Sequence, residues 1–398
     1  MAYENSSTSR EPKKTKQTSQ IPLSTEYSQP LLSLPPEITV EILSRLPVKS
    51  LLRLRCVCKS WRSLISNPKF AKTHLCRASM NTDYTNHRLI FSRLYPRTDV
   101  KSCSLYSIAN RNSDSAVQLD CPLKDPNLQV TIWGCCDDLV CIGTEREVFI
   151  WNPSTRKYKR PRNVELSCQC YADAWFGFGY DEFIDDYKVV GFFFANRTNG
   201  FEPIVKVYSL RSDSWRRIED CPRRVPRGTL GTFVNRALHW INLSASSGSK
   251  DIIVSLDFVK ETYGEVSKPE YQDSNLKETV LGVLNGCLCI LCQYSGACFH
   301  VWVMKEYGIR DSWTTLFVIL YGPPPLYCPY SAPLCILENG EVLLNLATHT
   351  VRYKPKNGTF SFPEIHNCSP LFSAYIYIES LVSPDSNADS GVQWQHQQ

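Results

Sequence analysis

The apolar positions follow a helical period near the start of the chain, within a stretch that runs from Leu34 to Phe70. There they recur every three or four residues, which predicts amphipathic helices. Proline and Asn-Pro punctuation divides the stretch into one helix before Pro47, a second over about Val48 to Arg53 and a third over about Cys56 to Ile65. A further helix is predicted from Lys69 to Ala78, where it would brace the first three.

These short helices carry more apolar surface than they can bury in one another. About forty residues is near the lower limit for an independent core, and a monomer rarely leaves a large apolar patch bare. Two explanations stay open: the residues pack on the domain that follows, or they contact a separate protein. The residues concerned are Leu34, Pro35, Ile38, Leu43, Leu46, Pro47, Leu51 and Leu54.

From about Leu89 the apolar period changes to alternation, and short strands recur between turn signals along the rest of the chain. Two kinds of segment alternate along the chain. One is an apolar hairpin, such as residues 133–143, and the other is a pair of strands whose second strand begins with an aromatic residue, such as residues 205–218. Equivalent units recur about every 50 residues, which is the scale of a kelch-type propeller blade of four strands. The equivalent positions are Trp151, Tyr208, Leu256 and Met304.

With a less regular first unit over residues 88–119 and a last one over 334–363, the repeats predict six blades. The leftover strand at 374–381 is expected to complete the first blade and close the ring, which removes exposed strand edges. A two-sheet sandwich fits six near-equal repeats less well. The predicted fold class is an α+β multidomain chain, with a small N-terminal helical unit followed by an all-β, kelch-like β-propeller of six blades.

The helical stretch LPPEITVEILSRLPVKSLLRLRCVCKSWRSLI resembles an F-box without a gap. This resemblance implies docking on a Skp-type adaptor and, through it, assembly with the cullin and RING subunits of a ubiquitin ligase. The residues expected to contact the adaptor are Leu34, Pro35, Ile38, Ile42, Leu43, Leu46, Pro47, Leu51, Leu54, Val57, Cys58 and Trp61.

The strand-rich part resembles the F-box-associated domain, type 1, of plant F-box proteins, a family treated as kelch-like. The segments that carry the resemblance are IWNPSTRKYKR, FGFGYDEFIDDYKVV, VYSLRSDSWRRI, FVNRALHWI and VWVMKEYGIRDSW. One departure is Arg236, where family members often carry Gly, so the resemblance leaves the type of that turn open. The expected organisation is a disordered tail over 1–30, the F-box and bracing helix over 31–80, the propeller over 85–383 and a second disordered tail over 384–398.

Composition narrows the class of protein. The 398 residues include 44 basic and 39 acidic ones, a net charge of +5 that is too balanced to indicate nucleic-acid binding. No apolar run is long enough to span a bilayer and the polar start lacks a signal-peptide core, so we expect a soluble, intracellular protein without membrane insertion, in the nucleus or the cytoplasm or both. The 18 cysteines are then expected to stay reduced.

Several candidate chemical motifs have simpler structural explanations. Gly177-Phe178-Gly179 resembles the start of a dinucleotide fingerprint, but no helical pattern follows it. The spacing of Cys287, Cys289 and Cys292, with Cys168 and Cys170, would suit zinc, yet the first two alternate on one face of an apolar strand, as core residues do. The Asp pairs at 137–138 and 185–186 are typical of turns, and a His in a strand, His239, is typical of a core. No catalytic residue, metal or cofactor is therefore predicted.

The predicted function is substrate recognition within an SCF-type ubiquitin ligase, in which the propeller binds a protein target for ubiquitination and degradation. The alternative is a propeller scaffold that binds partners without promoting their degradation. Two irregular connections, at 222–228 and 322–333, are candidate contact loops, but their composition favours the alternative that they are solvated connectors. The residues named for substrate contact are Arg223, Arg224, Arg227, Pro324, Tyr327 and Tyr330.

Overall fold

The computed structural model describes residues 34–92, 99–125, 128–162, 171–195, 203–221, 230–242, 252–270, 275–295, 298–320, 332–346, 349–368 and 373–385. Four helices come first: α1 (Pro36–Leu43), α2 (Val48–Leu54), α3 (Lys59–Ile65) and α4 (Pro68–Ser79). Prolines begin α1 and α4, where the missing N–H costs nothing, and the Asn67 side chain caps α4 by accepting the N–H of Lys69 at 2.8 Å.

The remaining described residues form six four-stranded antiparallel sheets, the blades of a propeller, together with a short two-stranded parallel pair, Asp114–Ser115 with Ile365–His366. In order within each blade, the strands are Ser373–Ile378, His87–Ser92, Val100–Ser104 and Val117–Gln118 in blade 1; Thr131–Cys136, Leu139–Gly143, Val148–Trp151 and Tyr158–Lys159 in blade 2; Tyr171–Asp181, Asp186–Ala195, Pro203–Ser209 and Ser214–Arg217 in blade 3; Thr232–Val234, Ala237–Asn242, Ile252–Asp257 and Tyr263–Val266 in blade 4; Leu276–Leu284, Cys287–Tyr294, Cys298–Met304 and Trp313–Ile319 in blade 5; and Ala332–Ile336, Val342–Leu346, His349–Lys354 and Thr359–Ser361 in blade 6.

The first strands of successive blades lie side by side around the centre, and that of blade 6 adjoins that of blade 1, so the ring is closed. The closing strand comes from the C-terminal end of the chain: it pairs with His87–Ser92 in a register that runs from His87 opposite Ile378 to Ser92 opposite Ser373. The predictions of six blades and of C-terminal closure are thus confirmed. Closure leaves the first blade without an exposed inner edge.

The core is divided into layers between neighbouring blades, and each described blade packs on the next through a cluster of buried apolar residues. Consecutive residues of one strand face opposite layers: Val189 packs towards blade 2 and Val190 towards blade 4. The second and third strands are therefore buried on both faces, and their sequences are continuously apolar instead of alternating. The alternation expected after Leu89 is wrong for these inner strands.

Two local predictions are also corrected. The repeat pattern predicts strands throughout the first unit over residues 88–119, but a short helix, α5 (Leu105–Ala109), follows Ser104, whose side chain accepts the N–H of Ser107 at 3.2 Å. The third helix begins at Lys59 and not near Cys56, because Cys58 is extended and caps the helix through its Sγ, which lies 3.4 Å from the N of Trp61.

The hairpins that join the first and second strands of a blade all lie at one end of the ring, since the strands are antiparallel. We call this end the proximal rim; it carries the turns at 137–138, 182–185 and 235–236. The chain also enters blade 1 from the helices at this rim, at His87. The opposite end is the distal rim, where the fourth strand of each blade ends.

Candidate functional site

A small core holds the helices together. Leu43, Leu51, Ile65 and Phe70 are at most 4% exposed and pack as one cluster. Partly buried side chains surround it: Val40, Leu46, Leu54, Trp61, Leu64 and, from the far end of the chain, Leu381. Of the predicted adaptor contacts, the structure therefore places Leu43 and Leu51 in this core, where they have almost no surface left for a partner.

Other predicted contacts form an exposed apolar stripe. Leu34, Ile38 and Ile42 are 57%, 46% and 47% exposed. Ile38 and Ile42 lie four residues apart on one side of α1, and Leu34 lies two residues before its first residue. Pro35, Pro47, Val57 and Cys58 are exposed as well, and Leu46, Leu54 and Trp61 are partly buried. We call Leu34, Ile38 and Ile42 the α1 stripe; nothing among the described residues covers it.

Charged and polar side chains connect α4 to α1 and to the turn that follows it. Glu41 accepts hydrogen bonds from Arg77 and from Arg45, whose Nε lies 3.0 Å from Oε1. These two guanidinium groups, Arg77 first, lower the pKa of Glu41 to about 2. The Nε2 of buried His74 donates to the carbonyl oxygen of Leu46 at 2.9 Å, and burial lowers the pKa of this imidazole, so it is neutral. The fourth helix is thus an integral part of the helical unit.

The helical unit rests on the proximal rim through the segment that follows the closing strand. We call residues 379–383 the C-terminal strap. The side chain of Leu381 packs into the helical cluster, whereas that of Val382 packs into the layer between blades 2 and 3. The N–H of Glu379 donates to the carbonyl oxygen of Asn86 at 2.8 Å. The strap therefore lies between the two units and contacts both.

Asn152, which is 0% exposed, binds the strap from blade 2. Its Nδ2 donates to the carbonyl oxygen of Val382 at 2.8 Å and to that of Ser380 at 3.2 Å. Its Oδ1 accepts the N–H groups of Ser154 and Thr155 at 2.8 and 3.1 Å, so both ends of the amide are paired. The IWNPST turn thus presents an amide to the strap.

Asp138 lies beneath the strap and is fully buried. Its carboxylate accepts the hydroxyl of Ser380 and, at 2.8 Å, the hydroxyl of Tyr187 from blade 3. Burial raises the pKa of Asp138 to about 6, although the two hydroxyl donors act in the opposite direction. This carboxyl joins blade 2, blade 3 and the strap.

A second connection links α4 to blade 3. Lys72 pairs with Asp185 in the turn at 182–185, and Tyr180 donates its hydroxyl to the same carboxylate at 2.5 Å. Both partners of the ion pair are about half exposed, at 50% and 52%. An ion pair of this exposure contributes little to stability, typically below about 1 kcal/mol.

Comparison with known proteins agrees with this architecture. The family described as "F-box associated beta propeller domain" matches residues 93–383, and the one described as "F-box domain" matches residues 31–73. The chain belongs to the plant F-box proteins with an F-box associated β-propeller domain. An F-box/kelch-repeat protein of Arabidopsis thaliana is 33% identical over 362 residues, which cover 89% of this chain and 96% of that relative.

The F-box protein CPR1 of Arabidopsis thaliana is 30% identical over 382 residues, covering 88% of this chain and 89% of the relative. Among solved structures, the Dos1 propeller aligns with a TM-score of 0.38 and 11% identity over 72% of this chain and 71% of that one.

For this F-box protein, the candidate substrate residues Arg223, Arg224, Arg227, Pro324, Tyr327 and Tyr330 lie outside the described residues. The topology nevertheless gives their place in the connectivity. Each of the two loops follows the fourth strand of a blade, Ser214–Arg217 in blade 3 and Trp313–Ile319 in blade 5, so each starts from the distal rim.

The remaining candidate motifs have structural roles. A Cβ on Gly177 would come within 2.2 Å of Leu238, and one on Gly179 within 2.2 Å of Phe233, so these glycines admit close packing of the next blade. His239 is 0% exposed, with ring nitrogens 3.2 Å from the Thr232 carbonyl and 2.6 Å from the Tyr307 hydroxyl, and burial lowers its pKa to about 4.

The turn at Arg236 has a defined type. Asn235 and Arg236 have φ of 48° and 63°, which gives a type I′ hairpin with an arginine in the left-handed region. The Arg236 carbonyl accepts the N–H of Phe258 at 2.9 Å, and the side chain pairs with Glu182 at 3.2 Å. Arginine is therefore compatible with this turn, where the family resemblance leads to the expectation of Gly.

Within the described residues, no group of three or more His, Cys, Asp and Glu residues is placed to hold a metal ion. Within the same ranges, none of the helices has the length and apolar character needed to cross a bilayer.

Proposed function

We propose that this F-box protein is the substrate-recognition subunit of an SCF-type E3 ubiquitin ligase. In this role the F-box docks on a Skp-type adaptor, which connects it to cullin and RING subunits, and the propeller binds a protein marked for degradation by the proteasome. The observation that carries the proposal is the α1 stripe, three large aliphatic side chains that stay about half exposed although the helices around them have a closed core.

The stripe has the character of a docking surface. Large apolar side chains grouped on an exposed helix are unusual on a monomer and typical of interfaces. An amphipathic helix presents such anchors at intervals of three and four residues, as Ile38 and Ile42 do, and Leu34 lies just before the helix. The packing of Leu43 and Leu51 in the core supports the surface from behind and keeps α1 in place.

The chain supplies proximity and no nucleophile of its own in this proposal. A target held near a charged ubiquitin carrier reacts as if at high local concentration, and well-oriented intramolecular systems reach about 10⁵ M or more. The helical unit lies on the proximal rim, so the distal rim, with its variable connections, is the surface we assign to the target. The protein acts in the nucleus, the cytoplasm or both.

The first experiment measures adaptor binding. The double variant Leu34→Ala with Ile38→Ala is expected to lose most affinity for a purified Skp-type adaptor, since central apolar anchors typically contribute about 2 kcal/mol or more each. Leu320→Ala is the matched control, because this leucine is 64% exposed on blade 5, away from the helices. Equal adaptor affinity for the double variant and the wild-type protein would contradict the F-box assignment.

The second experiment separates a ligase from a scaffold that does not promote degradation. Partners captured with the proteasome inhibited are followed in a cycloheximide chase, with and without an overproduced fragment that begins near Asn81 and lacks the F-box. The fragment is expected to lengthen the half-life of a true target, because it occupies the target without delivering it. An unchanged half-life would favour the scaffold.

A further inference from the structure

The C-terminal strap contacts both the F-box helices and the propeller. Within consecutive residues it places one side chain in each unit: Leu381 in the helical cluster and Val382 in the layer between blades 2 and 3. Ser380, the residue before Leu381, is 0% exposed and donates its hydroxyl to the carboxylate of Asp138. A rotation of the helices against the propeller would have to break these contacts.

The strap is held more firmly on the propeller than a surface loop is. Asn152 and Asp138 are both fully buried and direct their polar atoms at the strap. A buried polar group that loses its partner destabilises the fold, so each of these bonds opposes displacement of the strap. The backbone just before the strap is fixed as well, since the N–H of Ile378 donates to the carbonyl oxygen of Asp137 at 2.8 Å.

The other described connections between the two units are weaker. The Lys72–Asp185 pair is half exposed and screened by solvent. Residues 80–86, which lead from α4 to blade 1, have no regular secondary structure, and within them the Tyr84 hydroxyl donates to the Ile336 carbonyl oxygen of blade 6 at 3.0 Å. Leu381 is thus the apolar side chain through which the end of the chain packs into the F-box core.

We infer that Ser380 and Leu381 of the C-terminal strap are positioning residues, which set the orientation of the F-box relative to the propeller and thereby the rate and site of ubiquitin transfer. The orientation follows from the contacts above; its effect on transfer rests on the proposed function. Proximity accelerates a reaction only when the partners are also oriented, and a misplacement of about 1 Å can cost about 10²-fold. Weaker contact between the strap and the F-box leaves both binding surfaces intact, but the target then occupies a wider range of positions relative to the F-box.

The orientation is tested without ubiquitin chemistry. One fluorescent label is placed at exposed Lys59 on α3 and the other at exposed Lys356, in the turn between the third and fourth strands of blade 6. Single-molecule energy transfer between the labels reports the distance between the two units. Leu381→Ala and Ser380→Ala are expected to broaden the distance distribution, whereas Leu381→Met and Ser380→Thr, which keep the apolar contact or the hydroxyl, restore it. An unchanged distribution in both alanine variants would overturn the inference.

The effect on transfer is measured with the assembled adaptor, cullin and RING subunits, using self-ubiquitination of the propeller lysines as the probe. Leu381→Ala is expected to keep adaptor affinity within about twofold, to reduce the transfer rate at least tenfold and to spread modification over more lysines, consistent with a loss of orientation. A chain ended after Asp385, which keeps the whole strap, is the control and is expected to behave as the wild type.

The two proposals fail in different ways. Absence of transfer by the wild-type assembly would count against the proposed function and leave the distance measurement to decide on the strap. Normal transfer by Leu381→Ala with a broadened distance distribution would overturn the claim that orientation sets the rate. Loss of adaptor binding in the same variant would also overturn it, since the residue would then support the fold of the F-box and not its position.

Discussion

The hydroxyl of Ser380 donates a hydrogen bond to the buried carboxylate of Asp138, which joins the end of the described chain to the first hairpin of blade 2. Tyr187 donates to the other oxygen of the same carboxylate from blade 3. One acidic side chain thus connects the segment that closes the ring with two blades that lie far from it in sequence. Its burial also makes the connection sensitive to pH.

The first prediction concerns this sensitivity. Burial raises the pKa of Asp138 from its ordinary 3.8 to about 6 in the folded chain. Between about pH 6 and about pH 4 the folded state therefore holds a proton that the unfolded state lacks, and this contribution to stability grows as the pH falls through that window. The pKa difference corresponds to about 3 kcal/mol. Relative to Asp138→Asn, the wild-type protein is expected to gain about that free energy of unfolding from neutral pH to about pH 4.

Urea unfolding at several pH values, followed by tryptophan fluorescence, checks this prediction. Asp185→Asn is the matched control with the opposite sign. Partial desolvation raises the pKa of Asp185, but hydrogen bonds from Lys72 and Tyr180 outweigh this effect, so the pKa is lowered. The contribution of the Asp185 carboxylate to stability is therefore lost as the pH falls. Parallel pH profiles of the wild-type protein and Asp138→Asn would show that the carboxyl is not titrating in the fold.

The second prediction separates core from surface in the F-box. Ile65 is 2% exposed, so Ile65→Ala is expected to destabilise the helical unit by about 2–5 kcal/mol through the cavity that it leaves. Leu34→Ala, at a 57% exposed position, is expected to leave the stability nearly unchanged while weakening adaptor binding. Hydrogen exchange of the helix amides measures the first effect and adaptor titration the second. Similar protection of the helices in both variants would contradict the assigned core.

The third prediction concerns ring closure. A chain ended before Ser373 loses the strand that pairs with His87–Ser92 and exposes the inner edge of blade 1. The amides of that blade are expected to lose protection from hydrogen exchange. A chain ended after Asp385 keeps the strand and the strap and serves as the control. Equal protection of residues 87–92 in the two truncated chains would refute closure by the C-terminal strand.

The fourth prediction uses cysteine reactivity to map the adaptor surface. Cys58 is exposed, and a hydrogen bond from Ser60 lowers the pKa of its thiol, which favours the reactive thiolate. Burial instead raises the pKa of the inaccessible Cys141 well above its ordinary value. Iodoacetamide is expected to modify Cys58 and not Cys141, as read by mass spectrometry.

Bound adaptor is then expected to protect Cys58, since this residue is among the predicted contacts. Cys76 is exposed on α4 and provides the internal control for general loss of reactivity. Unchanged modification of Cys58 in a saturated adaptor complex would remove it from the docking surface.

Much of the architecture follows from local patterns in the sequence. The helical period before Pro47, the Asn-Pro stop before α4 and the recurrence of hairpins are short-range features, and the structure confirms the helices and the six blades that they predict. Helix boundaries set by side-chain caps were harder to predict. Ser104 caps a helix that begins at Leu105, within a segment whose pattern predicts a strand, and Cys58 caps α3 so that it begins only at Lys59.

The sequence by itself determined the kinds of element, their order and the family, because periodicity and turn chemistry act over a few residues. It did not determine which apolar residues of the F-box face outward. Leu43 and Leu51 share the helical pattern of Ile38 and Ile42, yet packing of α1, α2 and α4 buries the first pair and leaves the second exposed. Nor did it reveal the role of Asp138, which appeared to be an ordinary turn residue. Its partner Ser380 lies 242 residues away, and only the closed ring, which brings the chain end back to blade 2, creates a buried site in which both must be paired.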